Sequence, residues 1–271
     1  MFDRTFMPAI QPARLRLQAT RLAELYDQPQ AFVRALHGLL ELYSDRTHRP
    51  GQSGKPPPLA AAYNVPSPVL RQLLRELHPR VSQDREQTLA LSRLLWAEPY
   101  FESQVLAATL LGLAPADPAE PILEQLNRWL AALPEERILS VLLDEGMLRI
   151  RKDNPQKLLA LAKDWLSDPQ VYPKQNALRL LRPLAMETEA DHLPAIFLLI
   201  TPYLRRAPLP LRADLISLLT AAARSSPQET AFVLRQNLEA PDNPDTAWLI
   251  RQVVDEFPPD LQDSLRTSMR R

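Results

Sequence analysis

At 271 residues the chain is long enough to bury a substantial core, and its 32 basic and 32 acidic residues cancel, unlike the basic balance usual in a dedicated nucleic-acid binder, although a local patch stays open. Five glycines against 28 prolines exclude a turn-rich all-β or Gly-loop α/β fold, because tight turns need glycine where φ is positive, whereas proline ends one helix and opens the next. The absence of cysteine excludes disulfides, thiolate metal sites and cysteine nucleophiles.

The first ten residues lack the apolar stretch of a signal peptide, and no window approaches about 18 uninterrupted apolar residues, so a cytoplasmic protein without a membrane span is expected. Residues 13–43 carry two helical patterns, Leu15, Leu22 and Leu25, then Phe32, Val33, Leu36, Leu39 and Leu40, at three- and four-residue steps. Residues 45–66 break the pattern. Arg49 to Pro58 holds two of the five glycines and reads as a long irregular loop. It is an insertion rather than a domain linker, because the 44 residues before it are too few for an independent core. From Pro66 onward helix follows helix. Ser67-Pro68, Asp117-Pro118, Asp168-Pro169 and Ser226-Pro227 each pair an N-cap acceptor with a proline at the first turn, where the missing N–H is not needed.

An internal repeat runs through the chain. Trp96, Trp129, Trp165, Tyr203 and Asn237 each stand near the end of a helical segment, at spacings of 33, 36, 38 and 34 residues. That unit length fits two helices and two turns. One helix pair cannot bury its apolar stripe alone, so about six pairs stacked into a single HEAT-like α-solenoid over residues 1–271 are predicted; a non-repetitive helical bundle is the alternative.

Three stretches, in order, resemble the AlkD-like DNA alkylation repair family. Tyr63-Asn64-Val65-Pro66-Ser67-Pro68-Val69-Leu70-Arg71 is similar to its glycine-valine-x-x-proline-x-leucine-arginine segment. Leu95-Trp96 followed by Glu102-Ser103-Gln104-Val105-Leu106-Ala107 is similar to its Glu-x-Arg-x-x-Ala step. Asp164-Trp165-Leu166-Ser167-Asp168 followed by Lys174-Gln175-Asn176-Ala177 is similar to its tryptophan, turn, Arg-Arg-x-Ala passage. The likeness spans roughly residues 60–190, and no one of these motifs is specific alone. It implies an armadillo-type, HEAT-like fold that binds duplex DNA on a concave face and removes alkylated, cationic bases. In such enzymes a carboxylate stabilises the developing sugar cation, indole faces attract the cationic base and an arginine holds phosphate.

Asp144 is the candidate for that carboxylate. However, Ser140 stands where the family has a tryptophan, and Lys174 or Gln175 where it has an arginine. Trp248-Leu249-Ile250-Arg251 resembles a late family step but lies about one repeat too far along. Two of four functional positions are therefore changed, which argues against catalysis. Asp144 and Glu145 could form an acid pair, yet adjacent helix residues diverge by about 100°. Trp96, Trp129 and Trp165 read either as a base-stacking wall or as inter-helix core. His37, His48, His78 and His192 have no ligand spacing, so neither metal nor cofactor is expected.

The nucleic-acid candidates are Arg149, Arg151 and Lys152; Lys174, Arg179 and Arg182; Arg205, Arg206 and Arg212; and Trp248 with Arg251. The alternative reading of the cations is ordinary charge at helix C-termini. Three functions follow in order: a divergent family member binding DNA or another macromolecule, a protein-interaction scaffold, and a glycosylase.

Overall fold

The computed structural model describes residues 11–44, 61–132, 135–187 and 192–270. Most of the loop expected over 45–66, with His48, therefore lies outside the described residues. Those described form fifteen α-helices, two single-turn 3-10 helices and one isolated bridge between Ala61 and Tyr100, an all-α fold as the composition implies. Among them no helix is long and apolar enough to cross a membrane, and no group of three or more acidic or histidine residues could hold a metal ion. The chain gathers into two compact units, one up to Asp153 and one from Asn154.

The first unit holds α1 (Pro12–Ala23), α2 (Pro29–Leu42), α3 (Ser67–Val81), α4 (Arg85–Ala97), α5 (Phe101–Leu113), α6 (Glu120–Ala131), α7 (Glu136–Asp144) and α8 (Leu148–Asp153). Helices α1, α3, α5 and α7 pack side by side in one layer, and α2, α4 and α6 follow one another in a second. Amphipathic α1 buries Leu15, Ala19 and Leu22 at three- and four-residue steps. Helix α5 has neighbours on several sides (α3, α4, α7 and α8) and accordingly buries residues all round, from Glu102 to Gly112. Glycine is required there. A Cβ on Gly112 would stand 1.7 Å from the Glu145 carbonyl oxygen, so the α7–α8 joint lies backbone against α5.

The second unit holds α9 (Pro155–Ser167), α10 (Val171–Ala185), α11 (Leu193–Arg205), α12 (Arg212–Ser225), α13 (Pro227–Leu238), α14 (Thr246–Val253) and α15 (Pro259–Ser268). Here α9, α11, α13 and α15 form one layer, and α10, α12 and α14 the other. This alternation is solenoid-like: each helix touches its counterpart in the next repeat. Polar contacts keep the same period. Arg93 reaches Gln125 and Arg205 reaches Asn237, 32 residues on in each case. Arg179 reaches Asp214, 35 residues on, and the Tyr203 hydroxyl donates to the Leu166 carbonyl, 37 residues back.

The cap pairs need correction. Ser226 is the N-cap of α13 and Pro227 its first residue, as expected, but the serine side chain makes no cap bond. Ser67 instead begins α3 with Pro66 as N-cap. Asp117-Pro118 precedes Ala119, the N-cap of α6. Asp168 is the C-cap of α9, and its carboxylate closes the joint by accepting the Gln170 N–H at 2.7 Å. The side-chain cap that forms is one not anticipated, Asp84 accepting from Gln87 N–H at 3.0 Å at the head of α4.

Candidate nucleic-acid interface

The first two family-like stretches meet in space. Glu102, 4% exposed, sits in the first turn of α5. Its carboxylate accepts the backbone N–H of Tyr63 at 3.0 Å and of Asn64 at 2.7 Å. Asn64, standing where the family carries glycine, has φ 54°, a left-handed conformation that asparagine tolerates better than most residues. Both motifs are thus parts of one clamp, which docks the segment leading into α3 on the head of α5.

Around the clamp lies a polar aromatic cluster that the sequence did not announce. The His37 ring on α2 is 3.0 Å from the Tyr63 hydroxyl through Nδ1 and 2.9 Å from Glu98 through Nε2. Tyr63 stacks on Tyr100 at 4.6 Å, and His37 meets the edge of Tyr100 at 5.1 Å. Burial, then the hydrogen bond to Tyr100, then the charges of Tyr100, Glu41 and Glu102 push the Tyr63 phenol up to about 12. Because the folded value exceeds the ordinary 10.0, the neutral phenol favours the folded state. That contribution is complete below pH 10 and is lost as pH rises from about 10 to about 12. A spectrophotometric tyrosinate titration is expected to show one tyrosine ionising last, and Tyr63→Phe should remove that step.

Asp144 ends α7. The adjoining Glu145–Gly146 turn is held against α5 by the Gly112 contact. The Asp144 carbonyl accepts from the Arg151 guanidinium at 2.8 Å. Arg149 is ion-paired with Asp153 one turn on, and Lys152 is exposed. One turn before Asp144, Ser140 is exposed and offers no aromatic face. Asp144 and the basic turn Arg149, Arg151 and Lys152 therefore form one local group.

In the second unit Arg179, Arg205, Arg206 and Arg212 have other occupations. Lys174 and Arg182 are half-buried on α10. Arg179 pairs with Asp214 at 2.8 Å, Arg205 donates to Asn237 at 3.0 Å and Arg206 pairs with Asp242 at 2.9 Å. Arg212 bonds Asp245 at 3.1 Å and the Ala207 carbonyl at 3.0 Å, and its guanidinium lies 4.4 Å from the centre of the Trp248 ring. Arg251 is exposed on the same helix as Trp248. Gln175, at an expected arginine position, donates to the Pro210 carbonyl at 2.9 Å. Of the three tryptophans considered for a stacking wall, Trp96 and Trp129 lie face to face, 4.2 Å apart and 8° from parallel, and Trp129 is buried.

The sequence model of the family described as "DNA alkylation repair enzyme" matches residues 57–204, more than half of the 271 residues. No curated protein matches the chain. The matched stretch contains the Glu102 clamp, Asp144, the basic turn and Lys174 to Arg182; it stops short of Arg205, Arg206, Arg212, Trp248 and Arg251.

Proposed function

Since the chain belongs to the DNA alkylation repair enzyme family, we propose that it binds duplex DNA through phosphate contacts and does not excise bases. The observation carrying this reading is the basic turn. Within the family-matched stretch, Arg149, Arg151 and Lys152 cluster on the backbone that follows Asp144, and Arg151 bonds its carbonyl. Cations on the short helix α8 suit phosphate contacts, which bind without regard to sequence.

Two substitutions speak against excision. Ser140 cannot supply a π face to a cationic base, and the expected arginine is replaced by Lys174 or by Gln175, the latter a neutral amide engaged with Pro210. The turn before Asp144 then offers no aromatic face to a cationic base.

A labelled short duplex, followed by fluorescence polarisation, tests the proposal. Wild type is expected to bind, and Arg149→Glu with Lys152→Glu to weaken binding about tenfold or more, since two cations become two anions. Equal binding by the variant would remove the basic turn from the interface. Release of free methylated base from a methylated duplex, abolished by Asp144→Asn, would restore the glycosylase reading. The second unit favours a protein-interaction scaffold, because Arg179, Arg206 and Arg212 are neutralised by carboxylates of the next repeat. Absence of duplex binding at low salt would leave that reading.

A further inference from the structure

In the layer formed by α2, α4 and α6, Arg93 on α4 and Arg128 on α6 converge on one oxygen. Arg93 Nε donates to Gln125 Oε1 at 2.8 Å, and an Arg128 terminal nitrogen reaches the same atom at 3.4 Å. The two donor nitrogens are therefore no more than about 6 Å apart. Gln125 is 2% exposed, whereas both arginines are exposed. Four other inter-repeat arginines meet a carboxylate, Arg179 with Asp214, Arg206 with Asp242, Arg212 with Asp245 and Arg224 with Glu256, and Arg205 alone meets the Asn237 amide. Arg93 and Arg128 meet a neutral amide instead. Glu124, one turn before Arg128, makes no ion pair with it among the described residues.

Two guanidinium groups held this close around a neutral oxygen leave positive charge that the described side chains do not answer. The pair is also prearranged. Trp96, one turn after Arg93, stacks on Trp129, the residue after Arg128, and fixes α4 against α6. Because Arg93 spends its Nε on Gln125, both of its terminal nitrogens remain for a ligand. A planar carboxylate is satisfied by one such fork, whereas the oxygens of a phosphate diverge and can bridge two.

The geometry points to a phosphate-binding site at Arg93 and Arg128, in the layer opposite that of Asp144 and separate from the basic turn. Its ligand is a phosphate group, carried either by a nucleic-acid backbone or by a free phosphate compound. This site stands independently of the proposed duplex contact at Arg149 and Lys152.

Calorimetric titration of the full chain with inorganic pyrophosphate tests it, with a short oligothymidylate as competitor. Wild type is expected to bind pyrophosphate, and Arg93→Gln with Arg128→Gln to weaken it about tenfold or more. Arg128→Gln alone, which leaves Arg93 as the single fork, should weaken it about threefold. The near-ultraviolet circular dichroism of the stacked indoles should stay unchanged in both variants. Arg149→Glu with Lys152→Glu should keep wild-type pyrophosphate affinity, so that failure of the duplex proposal and failure of this one are separable. Competition by oligothymidylate identifies a nucleic-acid backbone as the ligand; lack of competition identifies a free phosphate compound. The site is overturned if wild type binds no pyrophosphate, if the folded double variant binds it unchanged, or if a hexaglutamate peptide binds more tightly.

Discussion

Gly112→Ala is expected to destabilise the first unit by about 3 kcal/mol, the upper end of what an overpacked methyl costs. The added Cβ would stand 1.7 Å from the Glu145 carbonyl oxygen, 2.8 Å from its carbon and 3.0 Å from the Gly146 carbonyl carbon. All three are backbone atoms, so no side chain can rotate away, and the α7–α8 joint must move off α5. In urea unfolding the midpoint should fall clearly, and heating should show a loss of roughly 6–12 °C. Gly38→Ala on α2 is the control. Nothing lies within 4 Å of its Cβ position, so the substitution should add about 0.5–1 kcal/mol by restricting the unfolded chain. Equal stability of the two variants would contradict the backbone contact that holds the joint beside Asp144.

Glu102→Ala should be nearly as costly, at about 3 kcal/mol. Two backbone N–H groups, of Tyr63 and Asn64, would lose a charged acceptor at 3.0 and 2.7 Å in a buried place, and bonds to charged groups contribute about 1.5–3 kcal/mol each. Glu102→Gln keeps one acceptor oxygen and should lose less than half as much. Amide hydrogen exchange distinguishes this account from a general loss of stability. Protection at Tyr63 and Asn64 should fall first and furthest, while that of α2, which meets the segment through the His37–Tyr63 bond, should persist. Uniform loss of protection throughout the unit would mean that Glu102 does not clamp this segment in particular.

Much of the fold was readable in the sequence because it depends on local spacing. Leu15, Ala19 and Leu22 can face one core only on a helix, and the regular return of Trp96, Trp129 and Trp165 follows from helix pairs of similar length. Roles set by tertiary partners were not readable. Asp117 and Asp168 look like N-caps because an acid precedes proline, yet the chain between joint and helix is longer than that pattern assumes. Arg179, Arg205, Arg206 and Arg212 look available because each acceptor lies 32–36 residues away, one repeat on. The Glu102 clamp was visible only as two motifs 38 and 39 residues apart; nothing local says that one carboxylate reads two N–H groups of the other. Gln125 likewise gives no hint in the sequence that two arginines meet on it.

Duplex affinity measured across a salt series, with unmodified and methylated DNA of one sequence, tests the proposed function most directly. Phosphate contact at the basic turn predicts that log Kd rises steeply and linearly with log salt, with the same slope for both duplexes and closely similar affinities. Replacing Lys152 by glutamine should lower that slope by about one contact. A flat salt dependence, or a strong preference for the methylated duplex, would contradict binding through phosphates alone.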